Sequence, residues 1–204
     1  MTKGVCKISK RYFNITLFVI LLLLLATNSY AANITSCADK INNSDFWVLL
    51  DDINTTENCL NITSDSLTID CRFHTIAGSG NGAGISISNH TDILIQNCII
   101  KNFDAGIKAE NSFFTLVQSL ITKNRIGLFL DSNSFFQGVI DSFKNNSELN
   151  LQSLSPFLIN VPNNYWGFNT SGEISSTTSG NVNFEPWLDK DPYSDDDNDL
   201  VPNL

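Results

Sequence analysis

One feature constrains this chain more than any other: it repeats itself. Asn89 to Asn102 (NHTDILIQNCIIKN), Asn111 to Asn124 (NSFFTLVQSLITKN) and Asn133 to Asn146 (NSFFQGVIDSFKNN) stand over one another at an offset of 22 residues. Asn89, Asn111 and Asn133 align, as do Ile95, Val117 and Val139. So do Ile99, Ile121 and Phe143, Lys101 and Lys123, and Asn102, Asn124 and Asn146. Gly84-Ile85 recurs as Gly106-Ile107 at the same offset, and as Gly127-Leu128 one residue short. A period of this size marks a stack of identical supersecondary units.

Each unit holds short β-branched or aromatic runs (ILI, TLV, GISI, GIKA, GLFL) bounded by Asn, Ser, Asp and Gly. These are strand signals between turn signals. No segment after residue 31 keeps a 3.6-residue apolar period for more than about two turns. The 26 asparagines favour turns and caps over helix interiors. The fixed leucine ladder of leucine-rich repeats is absent. The spacing therefore predicts an all-β fold, a single-stranded right-handed parallel β-helix with an N-terminal cap and an irregular C-terminal tail. Residues one coil apart would lie about 4.8 Å from each other. Aliphatic ladders would fill the bore and Asn ladders would bond at the turns. Ser66 to Gly78 reads as a coil, Ser79 to Gly82 as a looped turn, and Ile41 to Leu60 as the first coil or its cap. That gives about five coils between residues 41 and 160, a rod of about 24 Å.

The first 31 residues are of another kind. Lys3, Lys7, Lys10 and Arg11 form a basic head, and Ile15 to Ala26 is a nearly unbroken apolar run. Ser29-Tyr30-Ala31 supplies small residues at the positions a signal peptidase reads. This is a secretory signal layout, and the run is shorter than the about 20 residues a bilayer span needs. The predicted organisation is 1–31 signal peptide, 32–166 β-helix, 167–188 C-terminal cap segment and 189–204 acidic tail. No transmembrane span is expected after cleavage, and the location is secreted, periplasmic or cell surface.

Cleavage leaves 8 basic residues against 21 acids, a net charge of −13. Such a chain repels phosphate backbones, so nucleic acid is not an expected partner. It also repels anionic lipid and acidic polysaccharide. Cys37, Cys59, Cys71 and Cys98 remain, an even number suited to two disulfides outside the cell. Cys71 and Cys98 end comparable runs (LTIDC and LIQNC) on neighbouring coils. One coil spacing lies within the roughly 4.4 to 6.8 Å Cα range of a disulfide. Cys37 and Cys59 would then tie the cap to the first coil, with Cys59–Cys71 the competing pair.

Asp70, Cys71, His74, Thr75, Ile76 and Gly78, followed by repeated N-x-x-GI elements, resemble the right-handed parallel β-helix repeat proteins. Asn164-Tyr165-Trp166-Gly167 and Pro186-Trp187-Leu188 are similar to the way many of them finish. The named branch most like it is the periplasmic copper-binding family of nitrous-oxide reductase maturation, over roughly residues 34 to 188. That resemblance implies a fold far more than a function. Copper needs soft or imidazole ligands. The single methionine is Met1, and His74 and His90 have no cysteine beside them, so copper is not expected.

Polysaccharide lyases and pectin hydrolases share the pectin-lyase-like fold. A hydrolase needs two carboxylates about 5 to 9.5 Å apart across a sugar, and the Asn-Thr-Asp and Gly-His-Gly motifs of the pectin hydrolases are missing. Lys101, Lys123 and Arg125 suggest either a lyase-like basic stripe or side chains in solvent; His74 and His90 read as solvated turn residues. The reading adopted is a non-catalytic binding or structural module of the cell envelope, its partners cell-surface glycans or envelope proteins. A lyase or glycoside hydrolase of the same fold is the rival. A groove gathering carboxylates, or Lys and Arg with an acid, would favour that rival.

Three further features bear on binding. In the acidic tail Asp195, Asp197 and Asp199 alternate, resembling a thrombospondin type 3 calcium loop. Leu200 stands where that loop turns on Gly. The choice is between a solvated tail and a weak Ca²⁺ site, with Kd of about 10⁻⁴ to 10⁻³ M. Seven N-x-S/T sequons, at Asn33, Asn42, Asn54, Asn61, Asn89, Asn145 and Asn169, are either acceptors for a glycosylating host or, the reading preferred, a product of a composition rich in Asn, Ser and Thr. Finally, Phe113-Phe114 and Phe135-Phe136 align, so alternation sends one ladder into the bore and the other outside. The outer ladder either stays exposed, to stack on sugar rings or meet a partner, or is covered by the tail bearing Trp166, Phe168, Phe184 and Trp187, the reading preferred.

Overall fold

The computed structural model describes residues 31–42 and 45–194. They wind into a parallel β-solenoid of about six turns. The first sheet stacks Ala32–Ile34, Phe46–Leu49, Leu67–Asp70, Ile93–Gln96, Phe113–Val117 and Phe135–Val139. The second stacks Ile53–Asn54, Thr75–Ala77, Ile99–Lys101, Leu120–Thr122 and Ser142–Lys144. The third runs from Lys40–Ile41 through Leu60–Ile62, Ala83–Ser88, Ala105–Glu110, Ile126–Leu130 and Leu149–Ser153 to Thr178–Ser179. Ile159–Asn160 and Val182–Asn183 form a separate parallel pair. The turn count exceeds the expected five because Ala32–Ile34 already pairs with Phe46–Leu49, so the expected cap contributes sheet.

The bore explains why these segments are strands. Leu60, Ile85, Ile107, Leu128 and Leu151 pair in sequence along the third sheet and are all fully buried. Ile53, Ile76, Ile100, Ile121 and Phe143 do the same along the second. Burying one such side chain is worth about 1.5 to 3 kcal/mol, which offsets the about 1 to 2 kcal/mol of backbone entropy lost at that residue.

Register corrects part of the sequence alignment. The offset is 22 between Ile85 and Ile107 and between Phe113 and Phe135. It is 21 between Ile95 and Leu116, Ile100 and Ile121, and Lys101 and Thr122. Ile95 therefore does not pair with Val117, nor Ile99 with Ile121. The slip lies between His90, whose N–H still reaches Ser112 Oγ 22 residues on, and Ile93, which pairs with Phe114. Burial decides it: Leu116 is fully buried whereas Val117 faces outward, and a one-residue shift would reverse every side chain in the strand. As a result Asn102 does not join the Asn ladder. The backbone N–H of Phe103 donates to Asn124 Oδ1, and that of Asn124 to Asn146 Oδ1.

The disulfides are Cys37–Cys59 and Cys71–Cys98, with Cα separations of 4.2 and 4.8 Å. Past Cys98, hydrogen bonds continue the same corner. The N–H of Cys98 donates to Ser119 Oγ, that of Ser119 to Asp141 Oδ1, and that of Asp141 to Asn164 Oδ1. At the C-terminal end Trp166 stacks on Phe143 at 4.9 Å between ring centres, and Phe184 and Trp187 follow.

Candidate functional site

Two grooves on the rod carry chemistry. The first grows from the Phe-Phe ladder. Phe114 and Phe136 turn into the bore and stack at 5.6 Å, while Phe113 and Phe135 point outward. The cover over the outer pair is the segment Leu154–Leu158, where Phe157 packs on Phe135 at 5.6 Å. This corrects the expectation that the tail with Trp166, Phe168, Phe184 and Trp187 does so. Trp166, Phe184 and Trp187 continue the ring series from Phe143 at the end of the bore, which needs large rings to close it.

The cover is incomplete: Phe113 is 39% exposed, Phe157 62%, Leu158 52% and Leu154 55%. Between cover and sheet lies a cavity of about 220 Å³ lined by Phe113, Phe135, Phe136, Gln137, Leu158, Ile159 and Asn160. No ionisable side chain lines it. Aromatic faces beside neutral amides can stack on a sugar ring and bond its hydroxyls. They cannot move a proton.

The second groove, of about 250 Å³, lies on the third sheet and includes Asp104, Lys108, Arg125, Phe129, Glu148 and Gln152. Asp104, Arg125 and Glu148 sit on consecutive coils. Arg125 donates from Nε and Nη2 to Asp104 at 2.6 and 3.1 Å and from Nη1 to Glu148 at 2.5 Å. Lys108 pairs with Glu110 at 2.9 Å. Acids thus converge with Arg and Lys, the arrangement named above as favouring an enzyme. The electrostatics point the other way. The hydrogen bonds from Arg125 hold the Asp104 carboxyl below the usual range. Those from Asp104 and Glu148 push the guanidinium further up. A general acid or base needs a pKa near the working pH, and this network moves both groups away from it. Lys101 pairs with Thr122 rather than aligning with Lys123, so no basic stripe forms.

The histidines occupy separate turns. His74 Nδ1 lies 3.4 Å from Asp52, and His90 Nδ1 lies 3.0 Å from Asp65. Hydrogen bonds from the Thr91 backbone and from His90 lower the Asp65 pKa. Sequence reasoning missed Asp141. It is fully buried, bonds the Ser119 N–H through Oδ1, and has no partner on Oδ2. Burial pushes its pKa well up. Beside it the Tyr193 hydroxyl is buried without a partner, its pKa raised by burial and then by Asp141 and Asp191. Tyr193 is held there by its ring contact with Phe73 and by the Lys144–Asp191 ion pair. The one signal for Asp141 was its 22-residue offset from Ser119, both one step along the corner begun by Cys98.

Asp195, Asp197 and Asp199 lie outside the described residues, as do residues 1–30 of the expected signal peptide. Among the described residues no three His, Cys, Asp or Glu side chains are grouped to hold a metal ion. No helix among them is long and apolar enough to cross a membrane. Comparison with protein-family models, curated proteins and solved structures gives no match. The class of the molecule, a disulfide-bonded parallel β-solenoid, rests on its own geometry.

Proposed function

We propose that the protein is a secreted or cell-surface β-solenoid module that binds glycan lacking acidic groups, without acting on it chemically. The carrying observation is the groove lined by Phe113, Phe135, Gln137 and Asn160 with no ionisable side chain, where Phe113 is exposed and the exposed Phe157 packs on the half-buried Phe135. The net charge of −13 left by signal cleavage disfavours acidic polymers, and the two disulfides suit an oxidising compartment. The resemblance to the β-helix domain of the periplasmic copper-binding family is read as architectural. Weak Ca²⁺ binding at Asp195, Asp197 and Asp199 belongs to the same proposal, as an accessory to the tail.

The test is a glycan array probed with the exported protein and its Phe157→Ala variant, with product analysis of every glycan retained. Retention of uncharged glycans by the parent, loss in the variant and unaltered sugars support the proposal. Chain cleavage or unsaturated products would establish the rival lyase or hydrolase, for which the Asp104–Arg125–Glu148 groove is the place to look.

A further inference from the structure

The aromatic groove does not end at Asn160. Asn160 and Asn183 lie side by side on the parallel pair Ile159–Asn160 and Val182–Asn183, and Asn183 Nδ2 donates to Asn160 Oδ1 at 2.7 Å. Asn160 lines the aromatic groove; Asn183 lines the next depression, a wider cavity of about 690 Å³ completed by Glu185, Pro186, Trp187 and Asp189. The amide pair is thus a shared wall between two depressions on one end of the rod.

The chemistry changes across that wall. On the near side nothing is charged. On the far side stand Glu185 and Asp189, both exposed, and among the described residues neither carboxylate is in an ion pair. This differs from Asp104 and Glu148, which accept hydrogen bonds from Arg125 on both Asp104 oxygens and on Glu148 Oε2. Trp187 lies between them in sequence, with its indole Nε1 buried and without an acceptor. An indole and two unpaired carboxylates lining one depression are a setting that attracts an organic ammonium group. The ring quadrupole and the acids act in the same direction, and ionised carboxylates only accept hydrogen bonds.

We propose that the two depressions form one extended binding groove, and that its Trp187 end takes an amine-bearing sugar unit at the terminus of the glycan. This rests on the glycan-binding reading of the aromatic groove and adds to it the identity of the end unit. Uncharged units lie along Phe113, Phe157, Gln137 and Asn160. The ammonium group of the end unit sits over Trp187 between Glu185 and Asp189.

Isothermal titration of the exported protein with two probes tests this. One is the hexamer of N-acetylglucosamine; the other is the same hexamer with one terminal unit de-N-acetylated. At low salt the amine-bearing hexamer is expected to bind about tenfold more tightly, a preference that shrinks as salt rises. Glu185→Gln with Asp189→Asn should abolish the preference and leave the fully acetylated hexamer unchanged. Phe157→Ala should weaken both probes. Equal affinity of the two hexamers for the parent protein would overturn the inference while leaving the aromatic groove intact. So would a preference that survives the double substitution. Failure of the parent to bind either hexamer would remove the groove reading itself, and the inference with it.

Discussion

The two grooves on the rod are built from the same repeat and end in opposite conditions. On the third sheet Asp104, Arg125 and Glu148 satisfy one another across three coils. Next to the first sheet Phe113 and Phe157 remain exposed although a loop has folded over Phe135. A cluster of charged groups looks like a site until its partners are counted; here the pairing ties neighbouring coils together and leaves little to offer a ligand. An aromatic row left open by its own cover has lost only part of its contact with water, so a ligand can still gain by displacing the rest.

The comparison breaks most readily at the ladder from which the aromatic groove grows. Phe136 is in the bore and Phe113 outside it, on paired strands. Phe136→Ala should cost about 3 to 5 kcal/mol of stability, since it leaves a cavity, while Phe113→Ala should cost about 0.5 kcal/mol or less. Denaturant melts of the two variants measure both. Similar losses would mean the alternation has been misassigned. The next effect is on binding: Phe157→Ala should weaken glycan affinity by about 2 kcal/mol, or roughly thirtyfold, as truncation of an aromatic anchor does. Titration reads it, with the melting temperature as control.

Acidity sharpens the contrast because two acids respond with opposite sign. Asp141 has its pKa raised by burial. Its native state keeps a proton that the unfolded chain gives up, so its contribution is fully present below the unfolded carboxylate pKa and is lost as pH rises toward the folded value. Asp141→Asn keeps an acceptor for the Ser119 N–H and should gain stability relative to the parent as pH rises from 4 to 7 (~3 pH units, spanning the window in which the unfolded carboxyl ionises). Asp104 has its pKa lowered. Its contribution is present above the unfolded pKa and fades as pH falls through the folded one. Melts of Asp104→Asn across acid pH should show that reversed slope, small because the side chain is half exposed. Arg125→Ala loses two surface pairs at about 0.2 to 1 kcal/mol each, with glycan binding unchanged.

Much of this was legible in the residues. The Gly-Ile and Phe-Phe pairs pointed to coil and ladder, because each is tied to a position that only one side-chain type fills well; the cysteine runs favoured the observed disulfides over Cys59–Cys71 without deciding between them. The slip from 22 to 21 was not legible. Asn102, Lys101 and Ile99 match their supposed partners by letter, but strands register on burial, and a turn can shed a residue without changing the letters around it. The aromatic cover was misplaced for a related reason. Phe157 follows Leu154, Ser155 and Pro156 in a stretch outside the repeat, so periodicity said nothing of where it lands, whereas Trp166 and Trp187 drew attention by size. Asp141 was missed because an acid in a turn ordinarily faces water, and only the corner bonds of Ser119 and Asn164, with Tyr193 close by, reveal that this one does not.

The most direct measurement is a matched titration of one uncharged glycan hexamer against the parent, the Phe113→Ala/Phe157→Ala double variant and the Asp104→Asn/Glu148→Gln double variant, with the sugar recovered and analysed afterwards. The expected result is binding by the parent, loss in the aromatic variant, undiminished binding in the acid variant, and sugar recovered intact. Binding or cleavage that survives loss of Phe113 and Phe157 but disappears with Asp104 and Glu148 would contradict it, and would move the working site to the ion-paired groove.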